Sequence, residues 1–287
     1  MEKLLIIGPG DIARRALPEL AARYATTALV RGGSAAAGVA TIAGDLDRLD
    51  SLAPLAGIAD AVLHAAPPAE AGERDERTRH LVAALSGARM LPRRVVYLST
   101  SGVYGDCGGA RVDESRPLAP QSDRARRRAD AERVLGEWGH ERGVEIVCLR
   151  VPGIYAADRL PLERLRKRTP VLRAEDDGYT NHIHADDLAA ICVRALAPDA
   201  PAGAYNAADD SELKMGDWFD LVADRHGLPR PPRIPRADAE RMIPPALLSF
   251  MRESRRLVNR RLKDALGITL RYPTVFEGVP RGAAALA

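Results

Sequence analysis

The 287-residue sequence lacks most of the features that would tie it to a particular compartment or macromolecular partner. Its three cysteines, Cys107, Cys148 and Cys192, are odd in number and show no C-x-x-C spacing. That argues against a disulfide framework or a cysteine metal site and favours buried or incidental thiols in a reducing cytoplasm. Phenylalanine occurs only at Phe219, Phe250 and Phe276, so the core must be built mainly from Ala, Leu, Val and Ile. No apolar run approaches the roughly 20 residues of a membrane span, and Met1 leads straight into a strand-like stretch without a signal-peptide pattern. The expectation is a cytoplasmic protein with no membrane partner. Net charge is only +3, and dense basic tracts are confined to Arg124–Arg128 and Arg164–Arg168, so nucleic-acid binding is not suggested. His182 and His184 stand at i, i+2, but no Cys or acidic third ligand accompanies them at a known spacing, so no metal is expected. No internal repeat is visible.

With 46% hydrophobic and 28% charged residues, the chain reads as globular, long enough for one large α/β domain with a lobe or for two small domains. Its most informative stretch is Leu4-Leu5-Ile6-Ile7-Gly8-Pro9-Gly10-Asp11-Ile12-Ala13. Four apolar residues without helical or alternating period suit a parallel strand covered on both faces. Gly8 permits a tight turn, Gly10 lets backbone approach a pyrophosphate, and Ala13 fills the third small position of G-x-G-x-x-G/A. The phosphates would sit on the N-terminus of the following helix, with Asp11 placing a negative charge nearby. An ordinary strand-to-helix turn is the alternative.

Further strands are predicted at Thr26–Arg31, Val39–Ala43, Asp60–Ala66, Val95–Ser99, Val144–Arg150 and Tyr205–Ala208. Arg31, at the end of the second, is placed to pair with the 2′-phosphate of NADP, where an acid would instead bind the 2′-hydroxyl of NAD; the alternative is a solvated arginine. Asp45 could accept from an adenine amino group or cap a helix. Ala65 and Ala66 are small enough to leave room for a cofactor at the switch point of the sheet. His64 reads as a packed core residue. Thr100-Ser101-Gly102-Val103-Tyr104-Gly105 places hydroxyls beyond the carboxyl edge of a central strand, where ligands of such sheets bind. The basic segment Tyr155–Arg168 could cover a pocket, with Arg164, Arg166, Lys167 and Arg168 either attracting an anion or simply solvated. Asp186 and Asp187 suit a helix N-terminus. Helices are predicted over Asp186–Leu196, Met215–His226 and Leu247–Leu262, with Pro229–Pro235 as a connector and Ala283–Ala287 fraying.

The chain resembles the extended short-chain dehydrogenase/reductase family, which contains sugar-nucleotide epimerases and dehydratases. The likeness rests on Gly8–Ala13, Gly44-Asp45-Leu46, Leu98–Gly105, Leu149–Tyr155, His182–Ala189 and Tyr205–Asp210. It implies a Rossmann-type, doubly wound parallel α/β sheet with a small C-terminal α/β substrate lobe. The core would span residues 1–155 and the lobe mainly 156–287, with 181–206 returning to the core sheet. One nicotinamide cofactor per chain is implied, with NADP favoured and NAD the alternative. Candidate cofactor contacts are Gly8, Gly10, Asp11, Ile12, Arg31, Asp45, Leu46, Ala65, Ala66, Ser99 and Arg128. The hydroxyl that polarises the reacting carbonyl falls on Thr100.

The family's Tyr-x-x-x-Lys pair is missing. Registering Ala131-Glu132 on the usual Ala-Glu puts Arg124 at the tyrosine position and Arg128 at the lysine position. Arg128 could still bind ribose hydroxyls, but a guanidinium with pKa above about 12 does not act as acid at neutral pH. No tyrosine lies between Gly105 and Arg150. Tyr104, Tyr155 and His184 are the candidates to take over. The sequence therefore implies an atypical oxidoreductase or epimerase-like enzyme acting on a small carbonyl or sugar-type molecule, or else an NADP(H)-binding sensor or structural protein without turnover. Monomer and homodimer both stay open.

Overall fold

In the computed structural model, residues 1–33, 39–243, 248 and 251–282 are described. Seven strands form one parallel sheet: β1 (Glu2–Ile7), β2 (Tyr24–Val30), β3 (Ala40–Ala43), β4 (Ala61–His64), β5 (Arg94–Thr100), β6 (Glu145–Val151) and β7 (Gly203–Asn206). Their order is β3-β2-β1-β4-β5-β6-β7, the doubly wound arrangement with its reversal between β1 and β4. The central run explains itself. Leu4, Leu5, Ile6 and Ile7 are each at most 1% exposed, Leu4 and Ile6 in the core on one face and Leu5 and Ile7 in the core on the other. Two-sided burial removes the need for alternation, and each such side chain contributes about 1.5–3 kcal/mol of hydrophobic free energy.

Helices α1 (Asp11–Arg23) and α4 (Ala185–Ala195) pack together on one face, and α2 (Glu76–Leu85) and α3 (Asp123–Arg142) on the other. α3 begins at Ser122, whose hydroxyl accepts from the Ala125 amide, and ends at Gly143 in the left-handed region at φ 69°. Residues 182–206 rejoin the core through α4 and β7, and the later helix α6 (Arg260–Leu266) also packs on it. A separate apolar cluster of Leu165, Val171, Leu172, Trp218, Phe219, Val222, Ala239 and Val275 forms the lobe around α5 (Met215–Arg225).

The helix expected over Leu247–Leu262 is not formed as such. Arg256–Leu257 is extended and pairs with Arg111–Val112, and α6 starts only at Arg260. Bonds from Arg256 N to Ala110 O (2.9 Å), Leu257 N to Asn181 Oδ1 (2.8 Å) and Val258 N to Val112 O (2.8 Å) hold the backbone extended, overriding local helix preference. Residues 244–247, 249–250 and 283–287, which carry the rest of that expectation and the fraying terminus, lie outside the described residues. Among the described residues, no helix is long and apolar enough to cross a membrane. All three thiols are free and buried.

Candidate functional site

Two cavities open at the carboxyl edge of the sheet. The first, about 560 Å³, is lined by Gly8, Pro9, Gly10, Arg14, Arg31, Asp45, Leu46, Ala65, Ala66 and Arg77, among others. Gly8 sits at φ +79°, and a Cβ there would lie 2.6 Å from the backbone of Ala66, so only glycine fits. A Cβ on Gly10 would meet nothing nearer than 4.0 Å; it would project into open space. Gly10 is also the N-cap of α1, with no described side chain capping it. The first amides of α1 are thus left for a ligand acceptor. These features fit a dinucleotide pyrophosphate.

Around that turn the expected residues divide. Ile12 is buried in the core. Asp11 points away from the cavity, pairing with Arg15 (3.0 Å) and with Arg159 of the lobe (2.8 Å). Burial would raise its pKa, but the two guanidinium groups hold the carboxyl below the usual carboxylate range. Its charge is therefore compensated rather than opposed to a phosphate. β2 ends at Val30, one residue before expected, leaving Arg31 exposed at the rim. Asp45 accepts from the Asp47 amide at 3.1 Å, a turn-forming bond, while still lining the cavity. Arg14, also exposed at the rim, was not foreseen: one arginine on a helix surface carries no sequence signal.

The second cavity, about 660 Å³, lies between the core and the lobe. Thr100, Ser101, Gly102, Ser122 and Arg124 form its core wall; Arg164, Tyr179, Met215, Trp218 and Phe219 belong to its lobe wall. Thr100 accepts from the Gly102 amide at 3.3 Å, which leaves its own O–H available to donate. Arg124 is exposed at the cavity wall; desolvation there and the nearby Arg128 lower its pKa, while Glu253 opposes that shift.

Neither Tyr104 nor Tyr155 is among the described residues lining this cavity. The Tyr104 hydroxyl donates to Asn206 Oδ1 (2.8 Å) and accepts from Arg150 (2.8 Å), under the sheet edge. Burial raises its pKa to about 12. Tyr155 is 1% exposed, edge-on to His182, His184 and Trp218, and donates to Thr274 O (3.3 Å). Both hydroxyls are thus engaged in hydrogen bonds inside the protein. His184 caps α4 and lines a different hollow with Arg15 and Tyr272. Ser99 donates to Glu132 (2.5 Å), inside a buried pair with Arg150 (2.9 Å). Arg128 turns its Nη1 to Leu98 O (2.6 Å), the Tyr97 hydroxyl (3.1 Å) and Ala66 O (3.4 Å), tying the end of β5 to the residues after β4. It stands between the cavities as a brace. Tyr179 and His182 do line the second cavity; His182, fully enclosed, has its pKa pushed down to about 3 by burial and is neutral.

The sequence profile of the NAD-dependent epimerase/dehydratase family matches residues 8–208. A 3-diazoavenalumate denitrifying reductase from Streptomyces is 29% identical over 216 residues, 72% of this chain and 70% of that protein. A functionally unknown conserved protein from Silicibacter pomeroyi superposes with a TM-score of 0.77 at 27% identity, covering 97% of both chains. A putative NAD-dependent epimerase/dehydratase from Methylobacillus flagellatus gives 0.74 at 27%, covering 96% of both. The strand order, the glycine turn and the two cavities at one sheet edge agree with this match: the chain belongs to the NAD-dependent epimerase/dehydratase family.

Proposed function

We propose that the protein binds NADP(H) and uses it as an oxidoreductase on a small carbonyl-type substrate. The observation that carries this reading is the placement of the cradle at Gly8 and Gly10 and the Thr100 cavity along one sheet edge, with Arg128 bracing the backbone between them. In the first cavity, Gly8, Gly10, Ala65 and Ala66 would hold the pyrophosphate and neighbouring ribose, Asp45 and Leu46 the adenine. Arg14 and Arg31 would flank the 2′-phosphate, and two exposed arginines at that rim favour NADP over NAD. When bound, the cofactor supplies the two-electron reductant.

In the second cavity the Thr100 hydroxyl would donate to the substrate oxygen. Arg124 would add a fixed positive charge where negative charge develops, stabilising it electrostatically without giving up a proton. Tyr179, which lines the cavity, would be the phenol to supply one. That the relative from Streptomyces is named a reductase supports this class. Arg124 at the tyrosine position favours a second reading, binding without turnover, because acid catalysis typically contributes about 10²- to 10⁴-fold of rate.

Fluorescence titration with NADPH and NADH tests the cofactor. Arg31→Ala and Arg14→Ala should each weaken NADPH more than NADH, and equal losses would refute the NADP assignment. NADPH oxidation over a carbonyl panel separates enzyme from binder: turnover that falls at least tenfold in Thr100→Val supports catalysis at this cavity. NADPH binding with no turnover supports the second reading.

A further inference from the structure

The lobe wall of the Thr100 cavity contains a cation that the reaction proposed above does not use. Arg164 lies on the short helix Leu162–Arg166, and the guanidinium of this residue lines the cavity beside Phe219, with its carbon 4.1 Å from the Phe219 ring centre. Among the described residues its buried Nε has no hydrogen-bond partner, and its side chain makes one long hydrogen bond, 3.5 Å to Pro170 O. Among the described residues no carboxylate pairs with it, whereas Arg166 and Lys167 on the same turn face out to Glu163. Arg255, the other lobe-side arginine, is neutralised by Glu253 at 2.7 Å. Burial alone pushes the pKa of Arg164 down to about 10, so it stays charged at neutral pH in a place that disfavours the charge. A buried cation with an idle donor costs free energy unless something binds it. Around it, Met215, Trp218 and Phe219 share one face of α5 and line the cavity with apolar side chains.

We infer that the substrate is a planar, largely apolar molecule bearing one carboxylate, which docks on Arg164 while its body lies against Trp218, Phe219 and Met215 and its reacting group meets Thr100. A carboxylate matches the planar guanidinium fork in two parallel hydrogen bonds. Met215, Trp218 and Phe219 offer apolar contact to the body of such a molecule. This inference rests on the cofactor-dependent reading above.

Calorimetric titration of the full chain, with and without NADPH, would use cinnamate, its uncharged isostere cinnamamide, and UDP as probes. Cinnamate should bind on the order of tenfold or more tighter than cinnamamide, as expected for a hydrogen bond to a charged group. Arg164→Gln should abolish that preference without weakening NADPH, and Arg164→Lys should retain part of it. Equal binding of the acid and amide, no heat from either at millimolar concentration, or displacement of cinnamate by tighter-binding UDP would each overturn the inference. Failure of NADPH itself to bind would instead remove the reading beneath it. If Arg164→Gln unfolds, the comparison of acid with amide on the unmodified protein still decides.

Discussion

The two glycines of the first turn should fail differently, and the structure gives the size of each effect. In Gly8→Ala the new residue is held at φ +79°, costing about 1–2 kcal/mol for an L side chain in the left-handed region. Its Cβ would also stand 2.6 Å from both N and Cα of Ala66, neither of which can rotate away. Relieving that overlap means shifting the chain at the end of β4, comparable to overpacking a core at about 1–3 kcal/mol. The sum, about 2–5 kcal/mol, corresponds to a fall in Tm of roughly 3–8 °C for a chain of this length. Gly10→Ala is the contrast. Its φ of −79° suits any residue, and the nearest atom to the added Cβ is Gly8 O at 4.0 Å. The fold should lose no more than about 1 kcal/mol, the N-cap cost of alanine. The methyl, however, occupies the open side of the turn, so NADPH affinity should fall at least on the order of tenfold, the factor for about 1.4 kcal/mol. Thermal unfolding by circular dichroism and NADPH fluorescence titration read the two effects separately. Equal Tm losses in both variants, or undiminished NADPH binding by Gly10→Ala, would refute the assignment of Gly8 to packing and Gly10 to ligand approach.

Three further perturbations probe the buried polar groups. Arg150→Met leaves Glu132 buried with Ser99 as its remaining partner and should cost about 3–5 kcal/mol in urea denaturation, part of which Glu132→Gln on the same chain should restore. Burial raises Asp209 to about 7, so the native state holds its proton where the unfolded chain has released it, and stability from this group declines as pH rises from about 4 to about 7. Asp209→Asn should flatten that decline, and an unchanged slope in pH-dependent melting would count against it. His64 and His182, both pushed to about 3 by burial, act with the opposite sign: the unfolded chain takes up their protons first, so stability is lost as pH falls from about 6.5 toward 3. His64→Gln should shift the acid-unfolding midpoint downward if the Gln amide is accommodated, and no shift would argue against a neutral native imidazole.

The sheet was legible because its signal is local. A four-residue apolar run ending in Gly-x-Gly can hardly be buried except as a central parallel strand, and the turn fixes which edge binds ligand. Strand ends were less so: Arg31 lies one residue outside β2, a boundary set by pairing with β3. The substrate cavity was the hardest part. Tyr104 is adjacent in sequence to the hydroxyl loop, yet the tight turn Ser101–Tyr104 directs it toward Asn206 and Arg150. Tyr179, Trp218 and Phe219 are far from that loop in sequence and reach it only because the lobe folds over. Arg164 sat in a run of basic residues that pattern alone could not sort into one inward and three outward side chains.

Registration on Ala131-Glu132 implies that Arg124 and Arg128 take the family's tyrosine and lysine positions, and the two side chains differ in what they touch. Arg128 gains three acceptors, two of them carbonyl oxygens, and its fork suits that task better than an ammonium would. It preserves the relation between the residues after β4 and the end of β5, so the geometry that the lysine position supports can survive the replacement. Arg124 faces the cavity itself, where its charge is permanent. On that registration, a guanidinium there would offer electrostatics in place of proton transfer. A site so altered suits reactions in which anionic character builds on the substrate and protonation is supplied elsewhere or is easy. It equally suits capture of an anionic ligand, and both demands point to negative charge on the molecule bound, consistent with Arg164 on the opposite wall, which has no carboxylate partner among the described residues.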